Sequence, residues 1–283
     1  MPNKSVELPQ GPAIEFDGVG CTYADPDGAG PGYVALDRLR LGVAAGEFVT
    51  VVGPTGCGKS TILTLAAGLL TPTAGEVRIF GQPLRGISDR MGYLFQADSL
   101  LPWCSARENV AMGLRYRGVA KPEADARAED WLGRVGLAGR GDVYPHQLSG
   151  GMKKRVSLAQ TLILDPEIIL MDEPFSALDV QTRLLMENEL LEIWAANRKS
   201  VLFITHDLDE AILLADRVVV LSAGPATRAI GEFKVDLPRP RDVVELRDDP
   251  RFSELHRQIW HTMKDEVLKS YARSKSAPAG SDA

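Results

Sequence analysis

Basic charge is in short supply: 32 Lys and Arg stand against 38 Asp and Glu, a formal net charge of −6. A chain that tracks a phosphate backbone carries a basic patch or stripe, so nucleic-acid partners are disfavoured. Cysteine is equally sparse. Cys21, Cys57 and Cys104 are odd in number, with neither metal-ligand spacing nor the density of a disulfide framework, which reads as reduced thiols. The longest uncharged stretch, Ser60 to Gly75, is broken by Gly68 and Pro72 and falls short of the ~20 apolar residues that span a bilayer. Met1 to Gly18 lacks a cationic segment leading into an apolar one, so a cytosolic chain is expected, reaching any membrane through a partner. No internal repeat is visible.

What is present is ordinary globular material. With 45% hydrophobic and 25% charged residues, a chain of 283 residues can fold as two domains or as one α/β unit with subdomains. Ile14 to Tyr23 and Tyr33 to Val43 alternate loosely between apolar and polar, which predicts antiparallel strands around the Asp/Pro/Gly-rich loop Asp25 to Gly32. Phe48 to Val52, Ile168 to Met171, Val201 to Thr205 and Val218 to Leu221 are continuous apolar runs, the pattern of strands covered on both faces. Helical patterns at Lys59 to Leu70, Met152 to Leu164, Val180 to Asn197 and Leu208 to Ala215 alternate with them, which predicts a parallel α/β sheet. Between about Ala97 and Gln147 strand signals fade and helix formers dominate, so this stretch reads as a helical insertion. Beyond Pro240, the apolar residues Phe252, Leu255, Ile259, Met263 and Val267 recur at helical period. Ser274 to Ala283 has the composition of a disordered tail.

Gly53-Pro54-Thr55-Gly56-Cys57-Gly58-Lys59-Ser60 matches G-x-x-x-x-G-K-[ST] between a strand and a helix, with Thr61 following. Glycines there let backbone N–H groups curl around phosphates, the helix N-terminus adds positive potential, Lys59 reaches terminal phosphate oxygens and the Ser60 hydroxyl can ligate Mg²⁺. The run Ile168 to Met171 ends in Asp172 and Glu173, which strand pleating sends in different directions. Asp172 is suited to Mg²⁺ and Glu173 to polarising a water. Taken alone, such a run ends more often in a solvated turn; the phosphate loop upstream reverses that. Leu148-Ser149-Gly150-Gly151-Met152 offers a second helix N-terminus, in isolation an N-cap. Asp207 with Glu210 reads as a helix-capping pair and takes no catalytic role.

With that Leu-Ser-Gly-Gly element in place, the chain resembles the ATP-binding-cassette (ABC) ATPases over about Ile14 to Arg241. The resemblance implies a P-loop NTPase: an α/β fold with a parallel core sheet, an antiparallel β subdomain and a helical subdomain at about 97–155. It sets 1–13 apart as an N-terminal extension, 14–241 as the ATPase domain and 242–283 as a C-terminal helix and tail. Gln96 matches the glutamine that senses Mg²⁺ and the attacking water, Ser176 to Asp179 the D-loop, His206 the switch histidine, and Tyr23 the aromatic that stacks on adenine. ATP and Mg²⁺ are thus the implied ligands. Ser60, Gln96 and Asp172 would face the metal, while Ser149, Gly150, Gly151 and Asp179 would close on the nucleotide from a second chain.

Leu100-Leu101-Pro102-Trp103, Met171 to Phe175 and Leu237 to Arg241 resemble the nitrate/sulfonate/taurine-type importer ATPases. That implies a homodimer or paired ATPase, peripheral on the cytoplasmic face of the inner membrane, under an integral membrane permease served by an extracytoplasmic solute-binding protein. Leu100, Leu101 and Trp103 fall where the permease docks, or else in the core of the insertion. Many relatives carry Gln before the Arg after the signature and Ala-Arg where this chain has Ala159-Gln160; Lys153, Lys154 and Gln160 are read here as altering only the surface charge of that helix. The rivals are a non-transport ABC ATPase acting on nucleic acid or ribosomes, and a P-loop kinase or GTPase. No long coiled-coil insertion, tandem cassette or basic arm supports the first, and no Asn-Lys-x-Asp supports a GTPase.

Overall fold

A computed structural model describes residues 11–25, 30 and 32–276. Most of the loop expected at Asp25 to Gly32 and the extension at 1–10 lie outside the described residues, as does the tail beyond 276. The expected strands Ile14–Tyr23 (β1) and Tyr33–Val43 (β2) pair antiparallel. Ala74–Ile79 (β4) and Gln82–Pro83 (β5) complete a four-stranded antiparallel sheet in the order β2-β1-β4-β5. These two strands escape the sequence pattern because they are short and β4 opens on Ala-Gly.

The central sheet is six-stranded. Its strands are Phe48–Val52 (β3), Met91–Leu94 (β6), Ile168–Asp172 (β7), Ser200–Ile204 (β8), Arg217–Leu221 (β9) and Ala229–Lys234 (β10). Their order is β10-β9-β3-β8-β7-β6, parallel throughout except for β10, an antiparallel edge strand. The continuous apolar runs follow from burial on both faces. Val49, Val51, Leu170, Leu202, Ile204 and Val219 enter the core shared with the antiparallel sheet, whereas Phe48, Val52, Ile169, Met171, Val201 and Phe203 enter the opposite one.

Lys59–Ala66 (α1) follows β3 and packs in the first core. It stops short of the expected Leu70 because Gly68, at φ 71°, takes a left-handed conformation and Leu69 N–H returns to the Thr64 carbonyl at 3.0 Å. Ala106–Tyr116 (α2) and Lys121–Arg134 (α3) form the helical insertion, packed on Gly150–Leu162 (α4). Val180–Asn197 (α5) and Leu208–Leu214 (α6) cover the second face.

Pro250–Ser276 (α7) buries Phe252, Ile259 and Met263 in the same core, with Leu255 and Val267 alongside. All five are the residues whose spacing predicted it. The helix also takes in Ser274 to Ser276, which the composition had assigned to the tail. The Leu237-to-Arg241 motif is structural. The Arg239 guanidinium lies 4.2 Å from the Trp194 ring centre and pairs with Asp216 at 2.8 Å. Buried Arg241 donates to the Leu213 and Ala215 carbonyls at 3.0 and 2.7 Å, capping the end of α6.

Candidate nucleotide-binding site

The phosphate loop runs from the end of β3 into α1, at the C-terminal edge of the parallel sheet where such folds bind ligands. Gly56 at φ 74° and Gly58 at φ 98° hold backbone conformations that a side chain would strain. Thr55, Gly56 and Ser60 are exposed, whereas Lys59 is buried and its Nζ donates to the carbonyls of Gly53 and Pro54 at 3.0 and 3.2 Å. The loop thereby fixes its own cation. Cys57 contributes backbone only: its thiol is buried against Gly53, and burial raises its pKa. Tyr23 is 42% exposed, and its hydroxyl lies 3.1 Å from Thr61 Oγ1, which ties the ring to the start of α1.

Asp172 closes β7 facing Ser60, whose hydroxyl donates to Oδ1 at 3.4 Å. Burial raises the Asp172 pKa, and the Ser60 hydrogen bond works against that rise. Glu173 departs from the expected strand pleat. The strand ends at Asp172, and Glu173 follows it in a left-handed turn at φ 41°. Glu173 Oε2 meets His206 Nδ1 at 3.0 Å, so the expected base and switch histidine are already paired. The Gln96 amide donates to Ser176 Oγ at 3.4 Å, and Ser176 Oγ donates to the Glu173 carbonyl at 2.9 Å. Gln96 is thus linked to the Glu173 turn, and no hydrogen bond joins it to Ser60 or Asp172 among the described residues.

Ser149 caps α4 by accepting from Met152 N–H at 3.3 Å, and Asp179 caps α5 by accepting from Thr182 N–H at 3.0 Å. That bond, to a charged acceptor, lowers the Asp179 pKa. The two caps meet. A Cβ on Gly151 would stand 2.5 Å from Thr182 Cγ2, so Gly151 is required by the approach of α5 to α4. Ser149 and Gly150 are exposed, and among the described residues no hydrogen bond or ion pair joins Ser149 to Gly151 with the phosphate loop.

Three findings were not expected. Lys154 is not a surface residue: it is 3% exposed, because α4 buries Gly151, Lys154, Leu158 and Thr161 along one face. That spacing was visible in the sequence and could have located it. Asn109, fully buried on α2, accepts from Leu101 N–H at 2.7 Å and donates to the Leu101, Cys104 and Ser105 carbonyls, setting the segment after Gln96. On that segment Leu100 packs on the core, as expected of a residue in the core of the insertion, while Trp103 is 72% exposed. Finally, Asp207 caps α6 as expected through Asp209 and Glu210 N–H, but Thr205 Oγ1 takes the Asp207 N–H and Glu210 turns inward.

A phosphate loop at a strand-to-helix turn, an Asp-Glu strand end, a switch histidine and a capped Leu-Ser-Gly-Gly helix on one α/β scaffold define an ATP-binding-cassette ATPase. A family profile described as ABC transporter matches residues 36–176. An uncharacterized ABC transporter ATP-binding protein of Methanocaldococcus jannaschii is 49% identical over 83% of this chain and 86% of its own. The nitrate import ATP-binding protein of Synechococcus elongatus is 43% identical, covering 86% of this chain and 88% of its own. A taurine import ATP-binding protein of Burkholderia pseudomallei is also 43% identical, over 84% and 92%. Among solved structures, a dimeric ATP-binding cassette in a post-hydrolysis state bound to ADP and Pi superposes with a TM-score of 0.69 at 31% identity, covering 80% of this chain and all of that one. The chain belongs to the ABC transporter family, and it is an ATPase.

Proposed function

We propose that this chain is the ATP-hydrolysing subunit of an importer of a small solute of the nitrate, sulfonate or taurine kind. Two ATPase subunits would stack head to tail, each ATP lying between one phosphate loop and the other chain's Ser149 to Gly151. The observation that carries this reading is the division of the site. Lys59, Ser60, Asp172, Glu173 and His206 gather in one chain, while Ser149, Gly150 and Asp179 form exposed, capped turns beside the 66%-exposed Val180. The dimeric cassette superposed above and the importer names of the relatives point the same way.

Within the site, the loop N–H groups and Lys59 would hold the phosphates, Tyr23 would stack on adenine, and Glu173 would take a proton from the attacking water, oriented by His206. The Ser60 hydroxyl and the Asp172 carboxylate, bonded at 3.4 Å, present hard oxygens that suit Mg²⁺, and the Gln96 side chain, held by Ser176, would turn to join them. When bound, that ion neutralises charge on the phosphates.

Permease docking is assigned to the groove of about 240 Å³ between the end of β6 and α4, lined by Phe95, Ala97, Ser99, Gln160 and Leu164, with exposed Trp103 near by in sequence. No described helix is long and apolar enough to cross a membrane, so the subunit would sit peripherally, on the cytoplasmic face. A solute-binding protein would act through the permease alone.

Light scattering of Glu173→Gln tests the dimer. With ATP and Mg²⁺ the mass is expected to double, and without nucleotide to revert. An unchanged monomer in both conditions contradicts the composite site. A non-transport ABC ATPase, the second reading, would instead retain nucleic acid or ribosomes and ignore a permease supplied in nanodiscs.

A further inference from the structure

We propose that Lys154 is a positioning residue for Gln96, holding the backbone of that loop to the helix that carries the signature turn. This rests on the reading of Gln96 as a residue that acts at the reacting phosphate. Lys154 Nζ donates to the Gln96 carbonyl at 2.6 Å and the Phe95 carbonyl at 3.0 Å, and lies 3.6 Å from Asp98 Oδ1. All three acceptors belong to the segment that leaves β6, while Lys154 stands one turn beyond Ser149 to Gly151 on α4. An ammonium has three donor hydrogens and no acceptor; two are taken by these carbonyls, and Asp98 balances the charge as an ion pair.

Burial of a cation is costly unless its partners are fixed, and here they are main-chain carbonyls and a carboxylate. Lys154 is 3% exposed and its ammonium meets two main-chain carbonyls and Asp98, so the lysine is neither a solvated charge nor a simple packing group. Its effect runs onward through Gln96: the side chain whose backbone it grips continues to Ser176 Oγ and from there to the Glu173 carbonyl. Movement of α4, which the bound nucleotide of a partner subunit would press, therefore shifts the root of Gln96. Displacements of about 1 Å at such positions are enough to alter rates strongly.

A double-mutant cycle on the full chain tests the assignment, with ATPase kcat, KM for ATP and melting temperature measured for each variant. Lys154→Met is expected to lower kcat about 10-fold with KM within about 2-fold, since it removes charge-assisted bonds that fix geometry, not substrate contacts. In the Gln96→Ala background the same change is expected to have almost no further effect, because the lysine acts through Gln96. Lys154→Gln, which keeps a neutral donor, is expected to lose only about 3-fold in kcat and to show the same non-additivity. It carries the cycle if Lys154→Met does not fold. A Lys154 loss that persists undiminished in the Gln96→Ala background overturns the proposal while leaving the Gln96 reading intact. A Gln96→Ala chain with unchanged kcat overturns the Gln96 reading, and this proposal with it.

Discussion

The phosphate loop and the signature turn are both helix N-termini rich in glycine, yet they are built differently. The phosphate loop is internally bonded: Lys59 is held by its own loop's carbonyls, Ser60 faces Asp172, and Tyr23 is tethered to Thr61. The signature turn has a cap and nothing more. Ser149 accepts one backbone N–H, and Gly151 is pressed by Thr182 of the D-loop helix. A helix N-terminus alone is a generic anion site. One of these is joined to Asp172 within the chain, with Glu173 and its partner His206 next to that acid; the other exposes Ser149 and Gly150, and among the described residues the Ser149 side chain bonds only to its own helix.

Four experiments can break or sharpen this contrast. The largest effect is expected from Glu173→Gln, which removes the carboxylate paired with His206 and proposed as the proton acceptor. Steady-state hydrolysis should fall at least ~100-fold while nucleotide binding persists in a filter assay. Near-normal turnover would show that the phosphate-loop half does not contain the base. Next is Arg241→Met, which strips a buried donor from the carbonyls at the end of α6. A loss of about 2–4 kcal/mol of stability is expected in denaturant melts, with KM for ATP unaltered in what folds. An unchanged midpoint would mean that the α6 end needs no cap.

Helices α5 and α6 should respond to pH. Glu187 of α5 and Glu210 of α6 are both buried, and burial pushes their pKa values up to about 7 and about 8. Asp207, Asp209, Arg183 and Arg247 face Glu187, while Thr205, Glu187, Asp207 and Arg183 face Glu210. Both acids are protonated in folded and unfolded chains well below the ordinary value of 4.5. Above it the unfolded chain releases its protons first, so stability should fall as pH rises from about 5 to about 8 and level off beyond. Glu187→Gln with Glu210→Gln should flatten that fall in melting temperature. An equally steep decline in the double variant would place the titrating groups elsewhere. The smallest effect is expected from Tyr23→Ala, a rise in KM for ATP of about 3- to 10-fold at nearly constant kcat, the scale of one lost aromatic contact. No change in KM would leave the exposed ring without a part in binding.

Most of the scaffold and the phosphate-binding half could be read from the residues, because strands buried on both faces leave continuous apolar runs and the phosphate loop has a stringent spacing. β1, β2 and α5 fall at their expected ends. β4, β5 and β10 did not show, since short or edge strands carry little of that signal. The candidate site residues were nameable, but most of their support was not. The turn at Glu173 depends on a backbone angle, Asn109 works through main-chain groups that have no sequence identity, and Lys154 looks like any helix-surface lysine until the buried face of α4 is traced. The sequence order Asp207…Glu210 promised a reciprocal cap, yet Thr205 supplied the second half because it was nearer in space.

Whether the phosphate loop and the signature turn are halves of one site is tested most directly by mixing two inactive chains. Lys59→Ala destroys the first half and leaves the second; Ser149→Arg does the reverse. Mixed in equal amounts, the two variants should form some dimers with one intact composite site and recover ATP hydrolysis to about a quarter of the wild-type rate, half the dimers each retaining one of two sites. A mixture as inactive as either variant alone would contradict the head-to-tail arrangement.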